Sequence, residues 1–172
     1  RVEFVLVKKH PRNQEEGIFQ SHMECLNRGL AAGAKHILIF EDDILIQHFR
    51  PQVVTEAISF LQSVHKWDGF FFGALTSCIR PTKTSSVVQI KYHCLAHAYA
   101  LNHSFAQKVV KLPWTGTPFD NLLRQQGEEF YALAPMIAFQ SAARSDNKTF
   151  FLDKMRRFFG GLLFLQRGSE FF

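Results

Sequence analysis

Apolar and polar positions along this chain fall into blocks whose period changes repeatedly, which predicts strands and helices in alternation. Residues 2–7, Val-Glu-Phe-Val-Leu-Val, read as a strand that runs into a polar loop at 10–17. Ser21 and Glu24 have capping-box spacing, so a helix is expected over 21–32, with Met23, Leu26 and Leu30 on one face and Gly33 as its stop. Residues 37–40, Ile-Leu-Ile-Phe, are apolar without alternation, the pattern of a strand covered on both faces. Pro51 opens a second helix, with Val54, Ile58 and Leu61 as its apolar stripe. A strand is expected over 70–75, and the Thr/Ser/Lys-rich stretch 76–86 reads as a mobile surface loop. Strands at 87–90 and 94–101 would pair across a bend at 91–93. Ser104 caps a helix over 105–112, and Thr117-Pro118 caps and starts another that ends near Gly127. Strands at 131–133 and 136–139 flank Pro135, and 141–148 is polar loop.

Three acids, Glu41-Asp42-Asp43, follow the 37–40 run directly. Carboxylates at the end of a buried strand need a cation, a proton or strong hydrogen-bond donors to offset desolvation. Strand alternation puts Glu41 and Asp43 on one side and Asp42 on the other. The C-terminal edge of a sheet in an open α/β fold is where ligands bind, and hard oxygens favour Mg2+ or Mn2+. The competing reading is a solvated acidic loop.

At 172 residues the chain is long enough for one domain with a real core, and 19 Phe imply thick aromatic packing or an apolar contact surface. A net charge of +5 suits an anionic partner such as a nucleotide diphosphate or an acidic membrane face. No basic block interleaved with aromatics points to nucleic acid. Cys25, Cys78 and Cys94 lack the number and spacing of a disulfide framework or a zinc site, which suits reduced thiols and a cytoplasmic setting. Neither a signal peptide nor an 18-residue apolar span is recognisable. The start at Arg1, without an initiator Met, reads as a fragment or a processed product.

The motifs, taken in order, resemble glycosyltransferase family 25, the lipopolysaccharide-biosynthesis type related to procollagen galactosyltransferases. The resemblance starts with Gly17-Ile18-Phe19-Gln20-Ser21-His22, a helix, and then residues 37–43 ending in Glu41-Asp42-Asp43. Trp67-Asp68-Gly69 before a strand ending in Gly73 is similar to the family's "pWD…LG" segment. Ala98-Tyr99-Ala100-Leu101 followed by Ala106 is similar to its "aYxlsxxxA" segment, and Thr117-Pro118-Phe119-Asp120 to its "xPxD" segment. Pro135, Gln140 and Ser145-Asp146 resemble its "P…q…Sd" close, so the match spans about residues 17–146. The resemblance implies a GT-A-like (Rossmann-like) α/β fold with a mixed sheet flanked by helices, moving a sugar from a nucleotide sugar with the help of Mn2+ or Mg2+. Glu41-Asp42-Asp43 would be the counterpart of the DxD motif. Two departures stand out: the family's opening "INLxxxxxR" strand has only residues 2–7 as a poor substitute, and Phe119 replaces a commoner aliphatic residue.

On these grounds Asp43 and Glu41 are the expected metal ligands and, with Asp42 and His22, the donor-binding residues. Asp120 could be a third metal ligand or an acceptor-binding carboxylate, and is the expected catalytic base of the inverting transfer that the resemblance favours, all weighed against plain charge complementarity at a helix start. His22 would donate to a phosphate or to Glu41, the alternative being a satisfied histidine under a loop. His97 and Tyr99 share a strand face and could line the cleft, although a lone strand histidine is more often structural. Arg80, Lys83 and Lys91 flank the 76–86 loop, where a solvated face is the ordinary reading, and Asp146 reads as a turn residue. Residues 1–149 would form the transferase-like domain, lacking its first strand if the chain is truncated. Residues 150–172 would form a basic, Phe-rich helical tail that packs back on the domain or lies peripherally on an inner-membrane surface. Expected partners are a nucleotide-sugar donor and a glycan acceptor, with no nucleic acid and with dimerisation at an exposed sheet edge near residues 2–7. The rival functions are a non-catalytic transferase-like module that binds glycan or a partner protein, and a metal-dependent phosphatase or nuclease.

Overall fold

The structure, a computed structural model, describes residues 1–141. Its elements in chain order are α1 (Gln14–Ala31), β1 (His36–Phe40), β2 (Ile44–Ile46), α2 (Pro51–Ser63), β3 (Gly69–Phe71), β4 (Leu75–Pro81), β5 (Val87–Cys94), β6 (Ala98–Asn102), α3 (His103–Val109), α4 (Phe119–Gln126), β7 (Phe130–Leu133) and β8 (Ala138–Gln140). Six strands form one sheet in the order β1-β6-β3-β7-β5-β4, and β2 pairs with β8 separately. Within the large sheet β3 and β7 run parallel and the other neighbours antiparallel. This is a mixed α/β architecture with a six-stranded sheet flanked by helices.

Alternation along the strands divides the core between the two faces of the sheet. Phe71, Tyr99, Leu101, Phe130 and Ala132 face a cluster completed by Phe19, Met23 and Leu26 of α1, Phe105 and Val109 of α3, and Leu122 and Leu123 of α4. Phe70, Tyr131 and Leu133 face the other cluster, with Ala57 and Phe60 of α2 and Trp67. Asp68 sits beside that second cluster, buried, and its carboxylate accepts the amides of Glu128 and Glu129 at 2.8 and 3.1 Å. It thereby ties the start of β3 to the start of its parallel neighbour β7.

Several expectations are corrected. Residues 2–7 form no strand; Val2, Phe4 and Leu6 lie exposed, and the segment is held by Glu3 accepting from Arg28 at 2.7 Å. β1 is covered on one face only: Ile37 and Ile39 are buried, whereas Leu38 and Phe40 are 50% and 48% exposed. Its edge position explains this, since β6 is its one partner in the sheet. α1 begins at Gln14, seven residues before the expected start, because Asn13 accepts from the Glu16 amide and is the true cap. Ser21 lies inside the helix and donates to the Gly17 carbonyl at 2.8 Å.

In α2 the buried residues are Ala57 and Phe60, and Ile58 is exposed. Much of the expected loop at 76–86 is β4, which pairs with β5 through two register shifts. β5 runs unbroken through residues 91–93, and the chain turns instead at Leu95, whose φ is 81°. Asn102 rather than Ser104 caps α3, and Pro118 rather than Thr117 is the N-cap of α4. The tail at 150–172, the 1–149 boundary and Asp146 lie outside the described residues. Among the described residues no helix is long and apolar enough to cross a membrane.

Candidate functional site

β1 delivers Glu41 to the C-terminal edge of the sheet, where the Glu41 amide still bonds to the His97 carbonyl at 2.9 Å. The chain turns at Asp42 and Asp43 and re-enters β2, whose pairing with β8 brings Gln140 and Ala138 alongside. Glu41 and Asp43 are half-buried and Asp42 is exposed. The Ser141 amide donates to the Asp43 carbonyl at 2.7 Å, which fixes the turn to the end of β8.

Glu41 has a partner for each oxygen. Gln140 Nε2 donates to Oε2 at 3.3 Å, and His22 Nε2 stands 3.4 Å from Oε1. His22 is 5% exposed, its ring stacks on Phe119 with centroids 4.2 Å apart, and its Nδ1 is 2.9 Å from the Tyr99 hydroxyl. With Nε2 facing a carboxylate the ring proton belongs there, and Nδ1 is left to accept the Tyr99 O–H. Burial, and after it the charge of Glu41, hold the Tyr99 phenol well above its ordinary pKa, so it keeps the proton it donates. The structure thus sets His22 behind Glu41, between it and Tyr99. Residues 77 apart in the chain form this link, and no local pattern in the sequence announces it.

Asp43 differs from Glu41: its Oδ1 is buried and has no hydrogen-bond partner. Burial raises the Asp43 pKa, the charges of Glu41 and Asp42 add to the rise, and His97 opposes it. A raised folded-state pKa means the carboxyl's favourable contribution is complete below the unfolded value and is lost as pH rises through the folded one. Metal-free Asp43→Asn should therefore be more stable than the natural chain near neutral pH. Thermal melts across pH should show that advantage shrinking as pH falls through the raised folded-state pKa toward the ordinary Asp value of about 4, and absent below it. A difference in melting temperature that does not change with pH would sink this account.

His97 is 2% exposed, and its Nε2 lies 3.1 Å from the Ala138 carbonyl oxygen. Its Nδ1, like Asp43 Oδ1, is buried and unpartnered. A buried carboxylate oxygen without a partner is the kind of donor a hard divalent cation takes, so Asp43 fits one. Among the described residues no three His, Cys, Asp or Glu side chains are grouped to hold a metal by themselves. A cation here would complete its shell with phosphate and water oxygens, as Mg2+ commonly does.

Asp120, in the first turn of α4, accepts three hydrogen bonds: from Tyr92 Oη at 2.5 Å and the Ala96 amide at 3.0 Å on Oδ1, and from the Leu95 amide at 3.1 Å on Oδ2. It therefore clamps the positive-φ turn that carries the chain from β5 toward His97. A carboxylate has about four acceptor sites, so one remains for another donor. Sequence spacing gave no sign of this clamp.

Arg80, Lys83 and Lys91 belong to a different place. They lie on or beside the β4–β5 hairpin, and β4 is the edge strand opposite β1. Five inter-strand steps of about 4.8 Å separate the two edges by roughly 24 Å. Lys83 lies over the Phe60 ring at 5.9 Å. The chain matches no known protein-family model, and no curated protein matches it significantly.

Proposed function

We propose that the chain is a metal-dependent glycosyltransferase of GT-A-like architecture, moving a sugar from a nucleotide sugar to a cell-surface glycan acceptor of lipopolysaccharide type. The observation that carries the reading is Asp43 Oδ1, a buried carboxylate oxygen without a partner, beside Glu41 at the end of an edge strand. The reaction class comes from the resemblance of the ordered motifs to those of glycosyltransferase family 25. The phosphatase and nuclease readings rest on the acids alone and have no such support.

In this reading Asp43 and Glu41 would hold Mn2+ or Mg2+ for the donor diphosphate, and the exposed Asp42 would be free to meet the ribose. The bound cation supplies Lewis-acid stabilisation of the charge that develops on the departing diphosphate. His22, with both ring nitrogens engaged by Tyr99 and Glu41, fixes the carboxylate rather than touching phosphate. Transfer breaks the bond from the anomeric carbon to the diphosphate oxygen and forms one to an acceptor hydroxyl oxygen. The hydroxyl proton goes to a carboxylate, for which Asp120, with one acceptor site left, is the candidate.

A nucleoside diphosphate panel with and without Mn2+, read by thermal shift, tests the proposal. One diphosphate should stabilise the natural chain only when Mn2+ is present, because acids and diphosphate repel each other unless a cation lies between them. Asp43→Asn should fold and lose that response. A response that survives unchanged in Asp43→Asn would remove the metal-site reading.

One observation favours a second reading, a non-catalytic module that binds glycan or a partner. β1, like β4, is an open edge of the sheet among the described residues, and residues 2–7 form no strand on it. A strand there would build the floor of a nucleotide pocket. Glycan binding that needs neither diphosphate nor Mn2+ would favour the module.

A further inference from the structure

We propose that His97 is a metal ligand, donating the lone pair of Nδ1 to the cation that Asp43 Oδ1 holds. This rests on the metal-site reading above and deepens it: His97 takes the place beside Asp43 that the sequence reading gives to Glu41, whose two oxygens are engaged by Gln140 and His22. The argument begins with the tautomer. The Ala138 carbonyl can only accept, so His97 Nε2, 3.1 Å away, must carry the proton. In the neutral ring Nδ1 is then a bare lone pair, and it is buried with no donor in reach.

Asp43 Oδ1 is likewise a buried acceptor with no donor. Two acceptors cannot satisfy each other, and leaving both desolvated without a partner is costly. His97 lies close enough to act on the Asp43 charge, and a cation bound by both side chains resolves both at once. Metal-bound histidines characteristically donate their other nitrogen to a backbone carbonyl or a carboxylate, which fixes the ring and raises its basicity. Ala138 does that here. Gly73 gives this arrangement its room, because a Cβ there would collide with the Ala138 carbonyl oxygen and lie 3.1 Å from His97 Nε2.

The donor set decides the metal class. One imidazole nitrogen with one carboxylate oxygen suits first-row transition ions, of which Mn2+ is the weakest binder but still accepts imidazole more readily than Mg2+ or Ca2+, which take oxygen ligands. The site should therefore prefer Mn2+ to Mg2+, with diphosphate and water filling the remaining positions.

Electron spin-echo spectroscopy of Mn2+ bound to the full 172-residue chain reads the ligand directly. Mn2+ would be added alone and then with UDP, GDP, CDP or ADP. The expected result is a 14N coupling typical of imidazole, which changes when histidine is selectively labelled with 15N. It should vanish in His97→Gln, persist in His22→Gln, and be accompanied in His97→Gln by a loss of Mn2+ affinity of at least about 10- to 100-fold. Bound Mn2+ without the nitrogen coupling overturns this inference and leaves the transferase reading intact. A coupling that disappears with His22→Gln instead has the same consequence. No Mn2+ binding under any of these conditions overturns both. The labelling measurement on the natural chain decides the matter even if His97→Gln fails to fold.

Discussion

Asp120→Asn is expected to unfold at a markedly lower temperature than the natural chain, whatever it does to activity. The carboxylate gathers three donors, Tyr92 Oη and the amides of Leu95 and Ala96. An Asn side chain keeps one acceptor oxygen and turns an NH2 toward the remaining donor. Hydrogen bonds to a charged acceptor contribute about 1.5–3 kcal/mol each, and a donor left unmatched in a half-buried site adds to the loss. The expected cost is about 2–3 kcal/mol, or roughly 5–10 °C in a chain of this size. Tyr92→Phe removes one of the three bonds and should cost less, about 1 kcal/mol. Burial, then the charge of Asp120, push the Tyr92 phenol well above its ordinary pKa, so it remains a donor throughout the working pH range. An Asp120→Asn protein that melts with the natural chain would reduce the residue to a charge at a helix start. If instead the protein melts low but transfer falls far more than the lost folded fraction explains, the base role stands beside the clamp.

Much of this fold can be read from the sequence where an element's pattern and its surroundings agree. β6 and β7 are continuous apolar runs, and both are interior strands buried on two faces. β1 has the same kind of run, Ile-Leu-Ile-Phe, yet it is an edge strand with Leu38 and Phe40 half-exposed. Periodicity registers how apolar a strand is, not whether a neighbour exists to cover it. The converse error is β4, whose Thr, Ser, Cys and Arg read as loop. An edge strand tolerates polar residues, bulges and a terminal Pro because one side of it faces water. Ser21 and Glu24 matched the capping-box spacing, but so do Asn13 and Glu16, and the apolar face of α1 includes Phe19, which lies before Ser21. An apolar face that begins at Phe19 rather than Met23 requires a start before Ser21, which the Asn13 cap supplies.

The candidate site divides along the same line. Glu41, Asp42 and Asp43 stand out in the sequence because acids are costly after an apolar strand. What surrounds them does not, since each partner arrives from far along the chain. Tyr99 reaches His22 from β6, Gln140 reaches Glu41 from β8, and the Ala138 carbonyl reaches His97 from the same short strand. β8 is held there by pairing with β2, the strand that the acidic turn itself begins. The turn thus builds the scaffold that returns to enclose it. Sequence proximity gives the acids, and only the pairing of β2 with β8 gives their environment.

Gly73→Ala is expected to be the most damaging single methyl addition in the described part of the chain. Its Cβ would fall inside contact distance of the Ala138 carbonyl oxygen and within 3.1 Å of His97 Nε2. The obstacle is backbone, and that backbone is committed: the amides of Ile137 and Ala138 both donate to the Phe72 carbonyl, at 3.0 and 3.1 Å. No flexible side-chain end can swing aside, so either β8 shifts or the chain after β3 does. Overpacking of this kind costs about 3 kcal/mol or more, on the order of 10 °C for a chain of this length. Gly33→Ala is the control that separates crowding from backbone conformation. Gly33 has φ of 69° but nothing within 4 Å of an added Cβ, so it should lose only the left-handed penalty of about 1–2 kcal/mol. A shift of β8 would also carry the Ala138 carbonyl away from His97 and free its ring. Gly73→Ala should therefore lose Mn2+ affinity at temperatures where it is still folded, while Gly33→Ala should keep it. Equal melting temperatures for the two variants would show that β8 is less tightly held than its hydrogen bonds imply.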